Sequence, residues 1–266
     1  MIVEERRQRV LDFVSRKGFV SLADLARAVE ASESTVRRDL DHWHRQGVLK
    51  RTHGGAMFVG DSAGLPALEE RSDSQLEEKR QIAEATAARI RDGDAILLDG
   101  GTTTLEVARF LVGRSIQIVT NSLPIANLFA AHHETDLIFL GGYVFPRTGV
   151  ALGPMTVQAM ETIHVHQTIL SVGGITEKGL FNSNLLLVES ERRMLRCADE
   201  VVVVADHTKI GRQALAFLCD LAAVDTLIVD SRIAQAQRDF LNRTEVRLVV
   251  AGEQDKDGET DGSALK

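Results

Sequence analysis

Residues 95–104 have the sequence AILLDGGTTT, in which four apolar residues lead directly into an aspartate, two glycines and three threonines. A short, wholly apolar run is typical of a strand buried on both faces, and Gly-Gly followed by threonines is typical of a loop that opens a helix. Such a junction directs free backbone amides, hydroxyl groups and the positive end of a helix toward one point. The stretch therefore predicts a strand, an anion-binding loop and a helix.

Further largely apolar runs follow at similar length, separated by segments long enough for helices. They occupy residues 116–120, 137–140, 168–172, 201–205, 226–229 and 246–250. Apolar strands that alternate with helices are typical of a mostly parallel sheet covered by helices on both faces. We therefore predict an α/β domain.

Glycines and small polar residues accumulate directly after these runs. The carboxyl ends of parallel strands meet at one edge of the sheet, where open α/β sheets bind their ligands. Lys209 would bring a full positive charge to that edge, and carboxylate and amide side chains there would bind hydroxyl groups. The pattern indicates a small phosphorylated polyol or sugar, although Gly and Thr after strands also occur simply as turn formers. The candidate effector-binding residues are Asp99, Gly100, Gly101, Thr102, Thr103, Thr104, Asn121, Gly142, Gly174, Glu189, Asp206 and Lys209.

Other kinds of site lack their sequence signatures. No GxGxxG motif follows a strand, and residues 174–179 lack the Lys-Ser/Thr pair of a nucleotide-binding P-loop. Cys197 and Cys219 are far apart and have no CxxC spacing, so we expect buried thiols and neither a disulfide framework nor a zinc site. We expect no cofactor and no metal.

Hydropathy gives no sign of a membrane segment. No apolar stretch approaches the roughly 18 to 20 residues of a membrane span, and the N-terminus lacks a signal-peptide apolar core. We expect a cytoplasmic protein with no membrane partner.

The N-terminal residues carry a different pattern, with helical spacing of apolar residues. Val10 and Val14 belong to a first predicted helix, and a capping-box pattern at residues 21–24 begins a second. A third predicted helix, residues 33–46, places Val36 and Leu40, together with Trp43, within about 60° of one another. These side chains should face inward, which leaves Ser, Thr and Arg side chains on the opposite face.

A short helix, a tight turn and a second helix with polar residues near its N-terminus is typical of a recognition helix in the major groove. Arginine there binds guanine edges or phosphate. Residues 48–56 predict a two-stranded hairpin, a basic wing beside the helix. The alternative is a small domain that docks another protein and whose charged face is simply exposed to solvent. The candidate DNA-binding residues are Ser34, Thr35, Arg37, Arg38, Arg45, Lys50, Arg51 and His53.

The charge changes sign between the two parts of the chain. Residues 1–57 contain 11 Lys and Arg against 8 Asp and Glu, net +3, whereas residues 58–266 contain 20 against 30, net −10. Because attraction to DNA acts within a Debye length of about 8 Å, an acidic body does not prevent a basic head from binding DNA. We divide the chain into a winged helix-turn-helix domain (1–57), a linker (58–74), an α/β sensor domain (75–250) and a disordered tail (251–266).

Several of these stretches resemble the DeoR family of bacterial sugar-metabolism regulators. In the head they are TVRRDL at 35–40 and GVLKRTHGGA at 47–56; in the larger domain they include EKRQIA at 78–83, DGGTTT at 99–104, VTNSL at 119–123 and ADHTKIG at 205–211. The resemblance implies a winged helix whose Arg37 and Arg38 contact DNA, with Ser34 and Thr35 at the groove entrance. It also implies a sugar-phosphate effector and a sensor fold similar to ribose-5-phosphate isomerase and coenzyme A transferases.

Two functional hypotheses of different class follow. The first is a repressor of a carbohydrate-utilisation operon that binds double-stranded operator DNA as a homodimer or homotetramer and responds to a phosphorylated sugar, without being an enzyme. The second is a sugar-phosphate isomerase with a DNA-binding head, in which Glu189 or Asp206 is the base and Lys209 polarises a carbonyl. A third possibility is a scaffold whose basic head docks a protein partner.

Overall fold

The computed structural model describes residues 3–17, 19–45, 49–52, 54–58 and 68–253. Three predictions concern residues outside the described ranges: the wing-tip His53, residues 59–67 of the predicted linker, and residues 254–266 of the predicted tail.

The N-terminal head combines three helices with a small antiparallel sheet. The helices are α1 (Val3–Lys17), α2 (Leu22–Ala28) and α3 (Glu33–Arg45), and the strands are β1 (Phe19–Ser21), β2 (Leu49–Arg51) and β3 (Gly55–Phe58). The strand order is β1-β3-β2, so the predicted wing is present. Strand β1 was not predicted because three residues are too few to show a period of two.

Local sequence signals position the head helices. The Ser21 hydroxyl accepts a hydrogen bond from the Asp24 amide at 3.1 Å and so caps α2, as the capping-box pattern predicted. Glu30 adopts a left-handed conformation (φ 50°) in the turn to α3. Val36 and Leu40 are fully buried in the head core, so the predicted inward face of α3 is confirmed.

The larger domain contains seven helices and twelve strands among the described residues. The helices are α4 (Leu68–Asp73), α5 (Leu76–Ala87), α6 (Thr102–Leu111), α7 (Leu123–Phe129), α8 (Pro154–Ala159), α9 (Leu185–Met194) and α10 (Gln235–Leu241). The strands are β4 (Ala95–Leu98), β5 (Gln117–Thr120), β6 (Asp136–Phe139), β7 (Tyr143–Phe145), β8 (Val150–Leu152), β9 (Val165–Ser171), β10 (Gly174–Thr176), β11 (Gly179–Asn182), β12 (Ala198–Ala205), β13 (Ala216–Cys219), β14 (Thr226–Val229) and β15 (Arg247–Val250).

A seven-stranded parallel sheet organises this domain, with strand order β15-β14-β12-β9-β4-β5-β6. Its strands are the seven runs predicted from the sequence, with ends displaced by up to three residues. Ile96 and Leu98 pack with helices α5, α6 and α7 on one face, and Leu97 packs on the other face with α9 and α10. Both faces of the central strands are therefore buried, which is why these strands are largely apolar. The edge strands β6 and β15 are more exposed.

Smaller elements complete the domain. Strands β10, β11 and β13 form an antiparallel sheet, and β7 and β8 form a hairpin. Helix α4 lies inside the predicted linker and packs against α6, so the end of that segment is structured. Cys197 is buried as predicted, whereas Cys219 is only half-buried. No helix among the described residues has both the length and the apolar character needed to cross a membrane.

Candidate functional site

The outward face of α3 is polar and cationic. Ser34, Arg37, Arg38 and Arg45 are exposed, and Thr35 is half-buried. The opposite side of the helix packs into the head core, so the core fixes the direction in which this face points. The structure thus brings the five predicted recognition-helix residues onto the solvent side of α3.

The arginines of this face make only weak, exposed contacts. Arg37 Nη2 lies 3.6 Å from Glu33 Oε2, with both side chains about half exposed. Arg38 Nε donates to the carbonyl of Ser34 at 3.3 Å. Because exposed pairs of this kind contribute about 0 to 1 kcal/mol, the guanidinium groups can exchange them for phosphate or guanine.

The wing places its two described cations differently. Arg51 Nη1 donates to Asp41 Oδ1 on α3 at 2.5 Å, which joins the wing to the recognition helix. A groove of about 510 Å³ that includes Arg37 lies between them. Lys50 instead faces the sensor domain, where its Nζ lies 4.4 Å from the centre of the Tyr143 ring. The phosphate contact that we predicted for Lys50 stays a prediction.

In the sensor domain, the loop after β4 lies against the start of β8 and against residues at the ends of β5 and β9. A β-carbon on Gly100 would lie 2.2 Å from Val150 Cγ2 and 3.3 Å from the Ser122 side chain, and one on Gly101 would lie 1.8 Å from Ser171 Oγ. Only glycine allows the loop to approach its neighbours so closely. The predicted convergence of β5 and β9 on this loop is therefore present.

The threonines that follow the loop are buried. Thr102, Thr103 and Thr104 are 9%, 5% and 0% exposed. Thr104 Oγ1 accepts from the Gly101 amide at 2.7 Å and donates to the Gly101 carbonyl at 3.0 Å, so it caps α6. Gly100 is the half-exposed part of the loop. A ligand would therefore approach beside Gly100, and the effector contacts predicted for the threonines stay predictions.

Two buried carboxyl groups lie close enough for their charges to interact. Asp99 is 3% exposed and accepts hydrogen bonds from the amide and hydroxyl groups of Ser171. These hydrogen bonds lower its pKa, but burial has the larger effect and raises the pKa to about 6. Glu191 on α9 is 1% exposed and accepts a hydrogen bond from Asn182 Nδ2 at 2.5 Å. Burial, and then the charge of Asp99, raise the pKa of Glu191 well above its usual range. Sequence reasoning missed Glu191.

The end of β12 supplies a second predicted group. Asp206 is 2% exposed and accepts from the Thr208 amide at 3.0 Å. Lys209 Nζ lies 3.9 Å from Asp206 Oδ2, and its side chain is 30% exposed. At the end of β5, Asn121 donates to the carbonyl of Ala151 at 3.0 Å, while its Oδ1 is buried with no hydrogen-bond partner in the described part of the chain. The edge thus offers an accessible ammonium and a buried acceptor.

The two remaining predicted glycines have packing roles. A β-carbon on Gly142 would lie 2.2 Å from Thr156 Oγ1, and one on Gly174 would lie 2.1 Å from the carbonyl oxygen of Arg212. Glu189 is half-buried on α9, and burial raises its pKa. Effector binding by these three residues stays a prediction.

A buried lysine that the sequence prediction omitted lies among these charges. Lys79 on α5 is 4% exposed, and its Nζ donates to the carbonyls of Arg71 and Ser74. Its pKa is lowered, mainly by burial. The charge of Lys209 lowers the pKa further, whereas the charge of Asp206 raises it. Lys79 therefore lies close to the Asp206–Lys209 turn and holds the end of α4 to α5.

Residues 74–231 match the family model of the DeoR C terminal sensor domain. The chain belongs to the DeoR family. Residues 6–61 match the DeoR-like helix-turn-helix domain. The family predicted from the motifs is therefore confirmed. As a member of the DeoR family, the chain is a transcriptional regulator.

Curated relatives match this DeoR-family chain over most of its length. The HTH-type transcriptional repressor GlcR of Bacillus subtilis is 29% identical over 256 residues, which are 96% of this chain and 99% of that protein. The glycerol-3-phosphate regulon repressor of Escherichia coli is 31% identical over 229 residues, 85% of this chain and 90% of that protein. Among solved structures, ribose 5-phosphate isomerase A from Methanocaldococcus jannaschii aligns with a TM-score of 0.38 at 18% identity, over 52% of this chain and 55% of that chain.

A second buried cation of the DeoR-family chain, besides Lys79, lies between the two segments that match the family models. Arg71 on α4 follows residue 61 and precedes residue 74, so neither family model includes it. Burial lowers its pKa, and the charge of Asp99 opposes that shift. Arg71 is therefore near Asp99, although the sequence prediction assigned it to a linker.

Proposed function

We propose that this chain represses a carbohydrate-utilisation operon, binds operator DNA through the α3 face, and is controlled by a phosphorylated sugar or polyol in its sensor domain. One observation carries the proposal: the chain joins an exposed arginine face on a recognition-type helix to cations and polar groups at the carboxyl edge of a parallel sheet. The E. coli relative named for glycerol-3-phosphate supports a phosphorylated effector.

One head presents few base-contacting side chains, so it binds DNA weakly by itself. We propose a homodimer or homotetramer that places its heads on repeated half-sites. The proposal includes Arg45 and Arg51 as phosphate contacts at the ends of the arginine face.

Replacing Arg37 or Arg38 with alanine should weaken binding to a DNA fragment from upstream of the chain's own gene. We expect a loss of about 1 to 3 kcal/mol for a base contact, or a uniform loss with a shallower salt dependence for a phosphate contact. Titration of the full chain by fluorescence anisotropy at several salt concentrations measures both.

Arg9→Ala is the matched control, because Arg9 lies on α1, is 60% exposed and pairs only with the nearby Glu5 in the described part of the chain. It removes the same charge from the head without touching α3. Equal losses for Arg9→Ala and Arg37→Ala, or no binding by the parent chain at low salt, would contradict the proposal.

For the effector to control DNA binding, contacts must link the two sites. The β7–β8 hairpin makes such contacts. Val150 touches the effector loop at Gly100 and belongs to an apolar cluster against which Phe19 of the head packs. Tyr143 on the same hairpin holds Lys50 of the wing. We propose this hairpin as the route of a coupling free energy of about 1 to 3 kcal/mol, a roughly 5- to 150-fold change in operator affinity.

Lys209→Met should reduce the affinity for a sugar phosphate by about 10- to 100-fold, since it removes one charged hydrogen bond. The ligand is the compound that most raises the melting temperature of the parent chain in a panel of triose, pentose and hexose phosphates. Lys178→Met, at an exposed position in the β10–β11 turn, should leave the affinity unchanged. Conversion of the ligand during the assay would favour the isomerase alternative over a sensor that binds without turnover.

A further inference from the structure

Strand β6 forms one edge of the parallel sheet and is exposed there. It is the last strand in the sheet order and pairs only with β5 in the part of the chain that the structure describes. Ile138 and Phe139 on this strand are 50% and 38% exposed. Because successive side chains of a strand point to opposite faces of the sheet, the edge is apolar on both faces.

The outer side of β6 also carries backbone groups that are available for pairing. The amides of Asp136 and Leu140 donate to carbonyls of the β5 segment at 3.1 and 2.8 Å. Since peptide groups alternate in direction along a strand, the amides and carbonyls of Leu137 and Phe139 point away from β5. Such a row of donors and acceptors is a template for a further strand.

Other sheet edges of this domain are protected, whereas β6 is not. Edge strands are usually kept from pairing by charged side chains, proline, a bulge or a covering group. Arg192 covers the edge of β13 by donating to the carbonyls of Phe217 and Leu218, and β15 begins with the exposed Arg247. Strand β6 has no lysine or proline, keeps a regular register with β5, and carries its single charge, Asp136, at its first position.

The edge is complementary to a second copy of itself. In an antiparallel pair with Ile138 on the two-fold axis, Leu137 of each copy lies opposite Phe139 of the other, and their outward amides and carbonyls exchange hydrogen bonds. Ile138 then meets Ile138 on one face, and leucine meets phenylalanine on the other face. The two Asp136 carboxylates lie at opposite ends of the pair, about 13 Å apart along the strands, so like charges do not face each other.

We propose that two copies of this chain associate by antiparallel pairing of β6 with β6, which joins their parallel sheets across a two-fold axis. The inference rests on the proposed function, which needs at least two heads, and deepens it by naming the surface that pairs them. A closed two-fold dimer presents its heads to inverted half-sites of an operator. In a tetramer, the same pairing is one of the interfaces.

Ile138→Lys should halve the mass of the particle that the full chain forms, measured by sedimentation equilibrium. It places two ammonium groups directly opposite each other across the axis. Met155→Lys adds the same charge at an apolar side chain that is 72% exposed on α8 and should keep the mass of the parent. The affinity of Ile138→Lys for operator DNA should fall by about 100-fold, because each head then binds alone.

A cysteine at position 138 tests the register. Facing residues that are not hydrogen-bonded to each other across an antiparallel pair have Cα atoms about 4.5 Å apart, within the reach of a disulfide. Ile138→Cys should therefore give a covalent dimer on a non-reducing gel after mild oxidation. Phe139→Cys is the matched control, because its two copies would lie about 8 Å apart. It should cross-link no more than the parent, which already contains Cys197 and Cys219.

A monomeric parent, or an Ile138→Lys variant with the mass of the parent, would overturn the inference. Loss of association in Ile138→Lys without a cross-link in Ile138→Cys would overturn it as well, because the strands would then not pair as proposed. If the parent associates through another surface and binds operator DNA, the proposed function stands and only the role of β6 fails. If the cross-linked dimer forms but the chain binds no DNA from upstream of its own gene, the pairing stands and the proposed function fails.

Discussion

Replacing Asp39 with alanine should destabilise the head by about 3 to 5 kcal/mol, the cost of breaking a buried ion pair by removing one partner. Asp39 is 1% exposed within α3. Arg6 binds both of its oxygens, and Arg7 Nε lies 3.4 Å from Oδ1. The hydrogen bond to Asp39 raises the pKa of Arg6 above its usual value. Among the described residues, the substitution would leave the largely buried guanidinium group of Arg6 without its counter-ion and Arg7 with only the exposed Glu4, whose Oε1 lies 3.7 Å from Arg7 Nη1.

The fluorescence of Trp43 measures this effect in the full chain. It is the only tryptophan of the sequence, and its Nε1 donates to the carbonyl of Arg7 at 2.8 Å, so its environment changes when α1 and α3 separate. Urea unfolding followed at Trp43 therefore reports on the head rather than the sensor domain.

The matched control is Asp41→Ala, two residues further along the same helix. Asp41 pairs with Arg51 at 2.5 Å, but the two side chains are 43% and 39% exposed. Exposed pairs contribute at most about 1 kcal/mol, so Asp41→Ala should shift the urea midpoint only slightly. Similar midpoints for Asp39→Ala and Asp41→Ala would show that the buried pair contributes no more than a surface pair.

The periodicity of α3 predicts its apolar core side chains but not the role of Asp39. Val36 and Leu40 occupy the inward stripe, and Asp39 lies about 60° from Val36 on the helical wheel, at the edge of that stripe. A carboxylate there is ordinarily a surface residue. Its burial depends on arginines more than thirty positions away, a pairing that local sequence does not contain.

The sensor sheet is predictable because its central strands, which are buried on both faces, must be almost continuously apolar. Its edge strands β6 and β15 are also largely apolar, although they are more exposed. The strands of the hairpin and the small antiparallel sheet are three or four residues long, too short for a recognisable period. Helix α4 has six residues in a charged, Gly- and Ser-bearing segment, a composition that favours a linker. Its helical state follows from packing on α6.

The same contrast applies to the candidate effector site. The loop at residues 99–101 follows from one contiguous stretch, whereas Arg71 and Glu191 come from distant parts of the chain. One signal for Lys79 was available. At 100° per residue Lys79 lies about 40° from Ala83 and about 20° from Ile90, at the edge of the apolar stripe that these residues form with Leu76 and Ala87. A lysine on a buried stripe indicates a buried charge with a function.

Asp99→Asn should change the pH dependence of stability. Burial raises the pKa of Asp99 from 3.8 to about 6, so between these values the folded state binds more protons than the unfolded state. The free energy of unfolding of the parent therefore falls as pH rises from below 3.8 to above 6, by about 3 kcal/mol in all for this group. Roughly half of that loss occurs between pH 5 and pH 8. Asparagine cannot ionise, so the variant lacks this loss.

The observable is the difference in unfolding free energy between Asp99→Asn and the parent, followed by calorimetry from pH 5 to pH 8. Any fixed cost of the amide cancels along this series, and what remains is the titration of Asp99 and of the groups that its charge affects. The charge of Asp99 also raises the pKa of Glu191, so its removal relieves a second buried acid and changes the difference in the same direction. Asp92→Asn removes a carboxylate whose side chain is 64% exposed and should run parallel to the parent. A difference for Asp99→Asn that stays constant with pH would mean that Asp99 is ionised at little cost, and the interior of the site would then be far more polar than its burial indicates.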